Sequence, residues 1–526
     1  MMLKRCSITL LSLQVKLSIV FSAVCYVAPD GLDTNPGTLD HPFATIQKAQ
    51  EFASAGDTVF IRGGDYHITE SQISRIEQNL FACISYIDKS GSSGMRINYW
   101  AYPGEVPVFD FSDVKPPDQR VVGIYVTASW VHIKGLEMKG VQVTIKEHTE
   151  SYCIYSWGNN NIFEQIRMHD NQGTGLRHRK GGNNLFLNCD AYQNHDYTSE
   201  DGKGVNTDGF GCHPADGGTG NIFRGCRAWF NSDDGFDVIG SAEPVIFENC
   251  WAFYNGYSIS FSSLADGNGF KAGGHAGTAT ENLPVPIPRH TIRFCLAVRN
   301  KVNGFYANHH IGGSNWYNNS SCRNGTNFNM LNRLEDNSTD VPGYDHHMRN
   351  NLGYKSNNNI GNVDYSECDI SHNSFDLEIT ITDNDFLSLD EALLIESRQP
   401  DGSLPENDFM RLNPRSALID KGENIGFSFE GKAPDLGAFE QDSAVLTSWS
   451  STETYTIKIY PNPVHDYLYI DNGDYKQVMI TDFLGREFSH IKNENPIDVS
   501  SPETGFYFLI ILTRDNKTVI QKFIKM

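Results

Sequence analysis

The sequence is poor in basic residues, with 42 Lys and Arg against 64 Asp and Glu and a formal net charge of −22. This deficit excludes a general nucleic-acid binder, because such a protein needs a basic surface to displace phosphate counterions. Beyond the N-terminal region, the chain also lacks any run of about 18 uninterrupted apolar residues, so no transmembrane helix is predicted. Long apolar patterns at helical spacing are scarce as well, which argues against a helical fold.

What the sequence does contain is many turn residues, including 47 glycines among 526 residues, together with 39% hydrophobic content. This hydrophobic content is sufficient for a large core and more than one domain. Many short strands joined by tight turns are typical of such a composition. The sequence therefore predicts an all-β architecture.

Basic residues Lys4 and Arg5 precede the apolar stretch from Cys6 to Val24, which resembles a signal peptide. We assign residues 1–25 to it. A lipoprotein anchored through Cys25 is an alternative, but Val24 is bulky where a small residue is expected.

A short helix is predicted next, because Ile46, Ala49, Phe52 and Ala53 share one helical face. A strand over 58–61 follows it. A stacked sheet needs an end cap of this kind, since its first turn otherwise exposes core and strand edges.

The central region carries an irregular two-part repeat. The first part is an apolar residue or Cys, a small or apolar residue two positions later, and then Asn: Ile166-Met168-Asn171, Cys189-Ala191-Asn194, Cys226-Ala228-Asn231, Cys250-Ala252-Asn255 and Cys295-Ala297-Asn300. The second part is Gly before a large apolar residue: Gly175-Leu176, Gly209-Phe210, Gly235-Phe236, Gly269-Phe270 and Gly304-Phe305. Repeats of roughly 20 to 50 residues indicate a solenoid, and the alternating apolar positions favour a β-solenoid.

Equivalent residues of stacked turns form ladders about 4.8 Å apart. The cysteines are therefore interpreted as a buried ladder of free thiols, and the asparagines as a hydrogen-bonded ladder of turns. Two repeats carry insertions, at 195–206 and 256–267, which we expect to project beside a functional site.

Aligning the Gly-Phe steps places Asp208, Asp234, Asn268 and Asn303 in one ladder. A second ladder, two positions further along, contains Arg177, Gly211, Asp237, Lys271 and Tyr306. Four carboxylates, Asp208, Asp233, Asp234 and Asp237, thus converge within two neighbouring turns of the solenoid. They cannot all remain ionised without a cation, and calcium suits a dense set of oxygen ligands. A solvated Asp-Asp-Gly turn is the alternative interpretation of 233–235.

These motifs resemble those of polysaccharide lyase family 9, which contains pectate lyases and rhamnogalacturonan I lyases. The matching segments are 206–210, 231–237, 266–274 and 303–310. The resemblance implies a right-handed parallel β-helix, a calcium ion held by the aspartate cluster, and Lys271 as the Brønsted base. The lysine would abstract the proton next to a uronate carboxylate, so we expect β-elimination on an acidic plant cell-wall polysaccharide, pectin.

Several further side chains on the same turns or on the inserted loops are candidates for binding substrate carboxylates, Arg through two parallel hydrogen bonds. They are Arg177, His213, His275, Tyr306, His309, His310 and Arg333. For each of them, a structural hydrogen bond or exposure to solvent is the alternative.

The β-helix domain is predicted to span 26–441, followed by a Ser- and Thr-rich linker over 442–456. Residues 457–526 alternate like a small β-sandwich and resemble the C-terminal sorting domain of type IX secretion. A carbohydrate-binding module is the alternative. The resemblance implies that the type IX machinery secretes the protein or attaches it to the outer-membrane surface. Separately, we expect a monomer.

Two rival functions stay open. The first is a β-helix glycoside hydrolase in which Asp233 and Asp234 act with water as an acid and base pair. The second is a surface solenoid that binds glycans without turnover and uses calcium only as a structural tie.

Overall fold

The computed structural model describes residues 22–148, 150–441, 459–462, 464–470, 475–482, 487–491, 495–502, 505–514 and 518–525. The chain divides into two compact units, Met1–Ser443 and Ala444–Met526. The predicted linker at 442–456 and residues 1–21 of the predicted signal peptide lie outside the described residues.

The first unit is built from three long sheets, to which successive turns of the chain each contribute a strand. Sheet A has twelve parallel strands, in spatial order Val24–Val27, Thr58–Ile61, Ile97–Ala101, Val131–Lys134, Ile162–Glu164, Leu185–Leu187, Asn221–Arg224, Val245–Glu248, Thr291–Arg293, Asn315–Tyr317, His347–Arg349 and Asp369–Ser371. Sheet B has ten parallel strands, Gly64–Thr69, Pro107–Asp113, Glu137–Lys139, Arg167–His169, Asp190–Tyr192, Arg227–Trp229, Trp251–Phe253, Leu296–Val298, Ser320–Cys322 and Leu352–Tyr354.

Sheet C has eleven strands, and it carries the chemistry described below. Its strands are Arg75–Glu77, Phe81–Ile87, Arg120–Val126, Tyr152–Ser156, Thr174–Lys180, Phe210–Pro214, Phe236–Asp237, Phe270–Lys271, Asn303–Tyr306, Thr326–Asn329 and Asn358–Gly361. The first of these pairs antiparallel with the second, and the others pair in parallel. This architecture confirms the predicted all-β class and the parallel β-helix.

The predicted N-terminal cap is confirmed. The helix Ile46–Phe52 begins after Thr45, whose side chain accepts a hydrogen bond from the backbone N–H of Lys48, and Thr58–Ile61 follows as a strand. Ile46, Ala49 and Ala53 are buried as expected, whereas Phe52 is 55% exposed. The predicted signal-peptide boundary at residue 25 cuts into the strand Val24–Val27, which pairs with Thr58–Ile61.

Stacked aromatic rings fill the interior behind sheet C. The rings of Phe210, Phe236, Phe270, Phe305 and Phe328 follow one another with centroid separations of 5.1, 4.8, 5.0 and 5.0 Å. Each of these five turns therefore buries one aromatic ring in the same place, which fixes the register of this part of sheet C.

The ladders predicted from the repeat are confirmed. Cys189, Cys226, Cys250 and Cys295 are fully buried and free. The asparagine amides form a chain of hydrogen bonds, Asn171 to Asn194 at 2.8 Å, Asn194 to Asn231 at 2.9 Å, Asn231 to Asn255 at 3.0 Å and Asn255 to Asn300 at 2.9 Å. Each amide also serves a buried turn, so the ladder satisfies backbone groups that water cannot reach.

The glycine of the Gly-Phe step is explained by a close approach between turns. A Cβ at Gly235 would lie 2.8 Å from the carbonyl oxygen of Gly269 and 2.8 Å from Asn255 Nδ2. Any larger residue would push the stacked turns apart beside the site, which is why the repeat carries glycine there.

The remaining regular elements of the first unit are short. They are the 3₁₀ helices Glu70–Gln72, Thr280–Asn282, Asp383–Asp385 and Glu391–Ile395, and an antiparallel pair of strands, Asn332–Arg333 and Asp340–Val341. The C-terminal segment of this unit packs on the outside of sheet B, where Arg398 pairs with Asp190 at 2.7 Å. In the described parts of the chain, no helix combines the length and the apolar character needed to cross a membrane.

The second unit consists of two small antiparallel sheets. One contains Ile459–Tyr460, Tyr467–Ile470 and Ile497–Asp498, and the other contains Glu487–Ile491, Tyr475–Asp482, Gly505–Thr513 and Thr518–Lys525. Buried apolar residues such as Leu468, Val478 and Leu509 form its own core. This agrees with the predicted small β-sandwich.

Candidate active site

The outer face of sheet C carries the second predicted ladder. The strand registers align Arg177 with Gly211, Gly211 with Asp237, Asp237 with Lys271, and Lys271 with Tyr306. Lys271 therefore lies one turn beyond Asp237, as the repeat predicted. Parallel pairing without a shift places these side chains side by side, because residues in register point to the same face.

Three of the four predicted carboxylates form a compact cluster beside the lysine. Asp208, Asp234 and Asp237 each contribute a carboxylate oxygen, and these oxygens all lie within 4.8 Å of one another. Lys271 Nζ is 3.0 Å from Asp234 Oδ2 and 3.3 Å from Asp237 Oδ2. The exposed fractions are 7% for Asp208, 0% for Asp234 and 6% for Asp237, so the cluster is sheltered from water.

A row of amides orients Asp234. Its Oδ1 accepts hydrogen bonds from the backbone N–H and the side-chain amide of Asn268, both at 2.7 Å. Asn303 Nδ2 donates to Asn268 Oδ1 at 2.7 Å, and Asn329 Nδ2 donates to Asn303 Oδ1 at 3.1 Å. One oxygen of Asp234 is thereby fixed, which leaves Oδ2 directed towards the lysine.

Asp233 occupies a different environment from the other three aspartates. Its Oδ2 accepts a hydrogen bond from the backbone N–H of Asn206 at 2.7 Å, and its Oδ1 accepts one from that of Asp266 at 3.1 Å. These two residues end the inserted loops at 195–206 and 256–267. Asp233 therefore ties both loops to the segments that carry Asp208 and Asn268, and its role as a metal ligand stays a prediction.

Burial and mutual repulsion disfavour the charged forms of three of these carboxylates, those of Asp208, Asp233 and Asp234. Burial, followed by the charges of Asp237 and Asp233, raises the pKa of Asp208 well above its ordinary value. Burial and the neighbouring Asp234 raise the pKa of Asp233 to about 7, and burial also raises the pKa of Asp234. For Lys271, burial lowers the pKa, but the charges of Asp234 and Asp237 outweigh it and hold the pKa well above its usual value.

The donor set fits a hard divalent cation. Asp234 Oδ2 is buried and has no well-aligned hydrogen-bond donor among the described residues, although Lys271 Nζ lies nearby. The ammonium group of Lys271 offsets only one of the three carboxylate charges of the cluster, so a bound cation would neutralise the remainder. The oxygen-only ligands and their flexible carboxylate geometry suit calcium rather than a transition metal.

Arg177 and His213 lie on the N-terminal side of the cluster. Arg177 Nη1 forms an ion pair with Glu150 and lies 3.2 Å from the hydroxyl of Tyr152. His213 Nδ1 lies 2.6 Å from the carbonyl oxygen of Ile239, to which it donates. Burial, followed by the charge of Arg177, lowers the pKa of His213 to about 3, so the imidazole is neutral at ordinary pH.

Tyr306, His309 and Arg333 lie on the opposite side. The Tyr306 ring is half-buried next to Lys271. His309 Nδ1 and Arg333 Nε both lie 2.8 Å from Asp340 Oδ1, so one carboxylate holds both side chains. Both side chains are partly committed to this carboxylate, which leaves substrate binding by either as a prediction.

The two remaining histidines differ in what their rings can bind. His310 is fully buried, its Nδ1 accepts from the backbone N–H of Gly274 at 3.2 Å, and its Nε2 lies 2.8 Å from the carbonyl oxygen of Pro288. Both nitrogens are occupied by backbone, which argues against the predicted substrate contact. His275 is also buried, but its Nε2 has no hydrogen-bond partner among the described residues.

Sequence reasoning missed two contributors to the site. Glu150, which pairs with Arg177, lies outside the repeat and carries no motif, so only the folded chain brings it there. Asn268 lies in the ladder that the repeat predicts, but the sequence does not indicate its hydrogen bonds to Asp234. An amide one turn beyond an aspartate in such a ladder is the signal that could have identified it.

A parallel β-helix with a lysine set against buried carboxylates on one sheet defines this protein as a β-helix enzyme. The family model described as Pel9A-like, right handed beta helix region, matches residues 25–359. The chain belongs to this family, polysaccharide lyase family 9, and is a polysaccharide lyase.

Individual relatives agree with this assignment. The chain is 35% identical to Pectate lyase L of Dickeya dadantii (strain 3937) over 429 residues, which cover 80% of this chain and 91% of the relative. A solved structure titled rhamnogalacturonan lyase is 44% identical with a TM-score of 0.72, and covers 75% of this chain and 97% of its own. The crystal structure of pectate lyase Pel9A is 33% identical with a TM-score of 0.65, over 81% and 98% of the two chains.

The C-terminal unit has its own family. A secretion system C-terminal sorting domain matches residues 458–526. This confirms the predicted type IX sorting domain and indicates secretion to the cell surface or the exterior.

Proposed function

We propose that this enzyme cleaves the galacturonate-containing backbone of pectin, either pectate or rhamnogalacturonan I, by calcium-assisted β-elimination. The observation that carries the proposal is the placement of Lys271 Nζ at 3.0 and 3.3 Å from two of three clustered, buried carboxylates on the outer face of sheet C. The names of the relatives, pectate lyase and rhamnogalacturonan lyase, support the substrate class.

Asp208, Asp234 and Asp237 would hold the calcium ion, with Asp233 beside them. When bound, the cation supplies an electrophile that neutralises the uronate carboxylate and stabilises the charge that develops on the adjacent carbon. The amides of Asn268 and Asn303 keep Asp234 in place for this role. We infer that Arg177, which retains its charge beside Glu150, contributes a further contact to a substrate carboxylate.

Lys271 would remove the proton from the carbon next to the carboxylate. The electron pair of that C–H bond becomes the new carbon–carbon double bond, and the glycosidic oxygen at the neighbouring carbon departs with the electrons of its C–O bond. The product is an unsaturated uronate at the new non-reducing end. Lys271 must be neutral for this step, and Asp234 and Asp237 oppose that until their charges are committed to a cation.

The rival hydrolase mechanism needs two carboxylates that are free to act on water. Asp233 accepts backbone hydrogen bonds at both oxygens, and Asp234 accepts two at Oδ1 and faces Lys271 through Oδ2. These contacts support elimination over hydrolysis. They also favour a catalytic role for Lys271 over a glycan-binding solenoid in which calcium is only structural.

The test uses the full chain with polygalacturonate and, separately, rhamnogalacturonan I, each with calcium and with chelator. We expect a calcium-dependent rise in the ultraviolet absorbance of the conjugated product. The substitution Lys271→Arg keeps a positively charged side chain beside Asp234, but a guanidinium group cannot be deprotonated. Product formation should therefore fall by at least about 10³-fold. Lys134→Arg, on sheet A beside Glu164, is the matched control and should keep full activity.

Three outcomes would refute the proposal. New reducing ends without ultraviolet absorbance would make the protein a hydrolase. Binding without either signal would make it a glycan-binding solenoid. Full activity in Lys271→Arg would exclude Lys271 as the base.

We also propose boundaries for the segments of the chain, based on its sequence and on the position of its first strand. The signal peptide ends before residue 24, the β-helix domain extends to residue 441, a linker covers 442–456, and the sorting domain begins at residue 457. The type IX secretion machinery is the proposed partner of the last domain. The catalytic domain is proposed to act as a monomer.

A further inference from the structure

The strand that presents Asp237 ends directly after it. This strand, Phe236–Asp237, pairs with the first residues of the longer strand Phe210–Pro214, which continues beyond it. After Asp237 the chain enters a turn at residues 239–240. The position of the Asp237 carboxylate therefore depends on this turn as well as on sheet C.

The turn holds one carboxylate oxygen of Asp237. The backbone N–H of Ile239 donates to Asp237 Oδ1 at 2.7 Å, while Asp237 Oδ2 lies 3.3 Å from Lys271 Nζ. Asp208 Oδ1 is held in the same way by the backbone N–H of Asp234 at 3.1 Å, and Asp234 Oδ1 is held by the row of amides described above. A fixed Oδ1 leaves Oδ2 available to a cation.

His213 holds the same turn from the neighbouring strand. Its Nδ1 lies 2.6 Å from the carbonyl oxygen of Ile239, and because a carbonyl oxygen only accepts, this nitrogen carries the proton. Ile239 thus accepts a hydrogen bond from His213 through its carbonyl oxygen and donates one to Asp237 through its N–H. A single residue joins the imidazole to the carboxylate.

The imidazole of His213 lies over Gly211, which is the register partner of Asp237. A Cβ at Gly211 would lie 2.9 Å from His213 Nε2 and 3.5 Å from Arg177 Cγ. The φ of Gly211 is outside the left-handed region, so this glycine provides space for the ring rather than an unusual backbone conformation. The ring therefore has a defined position on the outer face of sheet C.

The imidazole adds no charge beside the aspartates. Burial, followed by the charge of Arg177, lowers the pKa of His213 to about 3, so the ring is neutral at ordinary pH. A neutral ring does not repel a divalent cation, and it offers no charge to a substrate carboxylate. Residues that orient the ligands of a metal ion raise its affinity without touching it.

We propose that His213 is a positioning residue for the calcium ligand Asp237 and acts through Ile239. The inference rests on the proposed function and extends its calcium site to a residue that does not touch the cation. The Nδ1–H donor is the part of the ring that this role needs, and Nε2 is not required for it.

Three substitutions of His213 separate the two ring nitrogens. Asparagine places its amide nitrogen where the imidazole has Nδ1, since both atoms are bonded to Cγ, whereas glutamine places its amide closer to Nε2 and alanine removes both. Calcium is titrated in a calorimeter into the full chain and into each variant. His213→Ala and His213→Gln should bind calcium about tenfold more weakly than the parent chain, and His213→Asn should remain within about threefold of it.

His178→Ala is the matched control. His178 Nε2 also donates to a carbonyl oxygen, that of Gly181 at 2.7 Å, and its described hydrogen bonds do not reach the aspartates. The control should lower the free energy of unfolding in urea and leave the affinity for calcium unchanged. A loss of affinity as large as that of His213→Ala would reveal a general effect of destabilisation and overturn the inference.

The other outcomes are equally decisive. An affinity of His213→Ala within about twofold of the parent chain, or rescue by glutamine instead of asparagine, would overturn the inference. No calcium binding by the parent chain would overturn it together with the proposed calcium site. Absence of ultraviolet-absorbing product, with the expected order of calcium affinities retained, would refute the proposed lyase activity and leave the positioning role of His213 intact.

Discussion

Removing calcium with a chelator should make the β-helix less stable as the pH rises, which is the opposite of the usual effect of ionising aspartates. Four carboxylates and one ammonium group, from Asp208, Asp233, Asp234, Asp237 and Lys271, leave three excess negative charges when all are ionised. Aspartates in most folded proteins gain stability from ionisation. Here burial and repulsion raise the pKa of Asp233, Asp234 and Asp208, so the folded state binds protons more tightly than the unfolded chain.

The sign and size of the effect follow from this difference. In chelator, the free energy of unfolding should fall as the pH rises from about 4, because the folded state must then give up protons that the unfolded chain has already lost. The rise in the pKa of Asp233 from 3.8 to about 7 corresponds to about 4 kcal/mol, lost between about pH 4 and 7. Calcium replaces those protons, so its stabilising effect should be small at pH 4.5 and reach several kcal/mol at pH 8.

Urea unfolding of the full chain, followed by circular dichroism from pH 4.5 to 8, measures both curves. Asp208→Asn retains an oxygen for the backbone N–H of Asp234 and removes one charge, so it should flatten the curve in chelator and lose most of the calcium effect. Asp40→Asn, on the exposed N-terminal surface, is the control and should behave like the parent chain. A calcium-induced gain of equal size at pH 4.5 and 8 would refute this account of the cluster.

Two further predictions concern single side chains. Asn268→Ala removes one of the two hydrogen-bond donors to Asp234 Oδ1 and should weaken calcium binding by about 10- to 100-fold in a calorimetric titration. An unchanged affinity for calcium would show that the asparagine amides do not position Asp234. Phe270→Ala deletes a fully buried ring between Phe236 and Phe305, so it should lower the free energy of unfolding, measured in urea, by about 3–5 kcal/mol. A loss below about 1 kcal/mol would contradict the place of Phe270 in the stacked core.

The repeat made the fold and much of the site predictable. Because adjacent turns of a parallel β-helix stack in register, residues at matching positions of the repeat must become neighbours. This is why Asp237, Lys271 and Tyr306 could be placed on adjacent strands from their distance to the Gly-Phe steps. The same argument placed the asparagine and cysteine ladders.

The solenoid, its asparagine and cysteine ladders and the lysine beside the aspartates are thus readable from the sequence, because all of them depend on one repeating register. The contacts of the irregular segments become visible only in the folded protein. Both carboxylate oxygens of Asp233 accept hydrogen bonds from the ends of the inserted loops, and Glu150 reaches Arg177 from outside the repeat. These segments differ in length and path from turn to turn, so no periodicity relates them, and their positions follow from packing and backbone hydrogen bonds that form only in the folded chain.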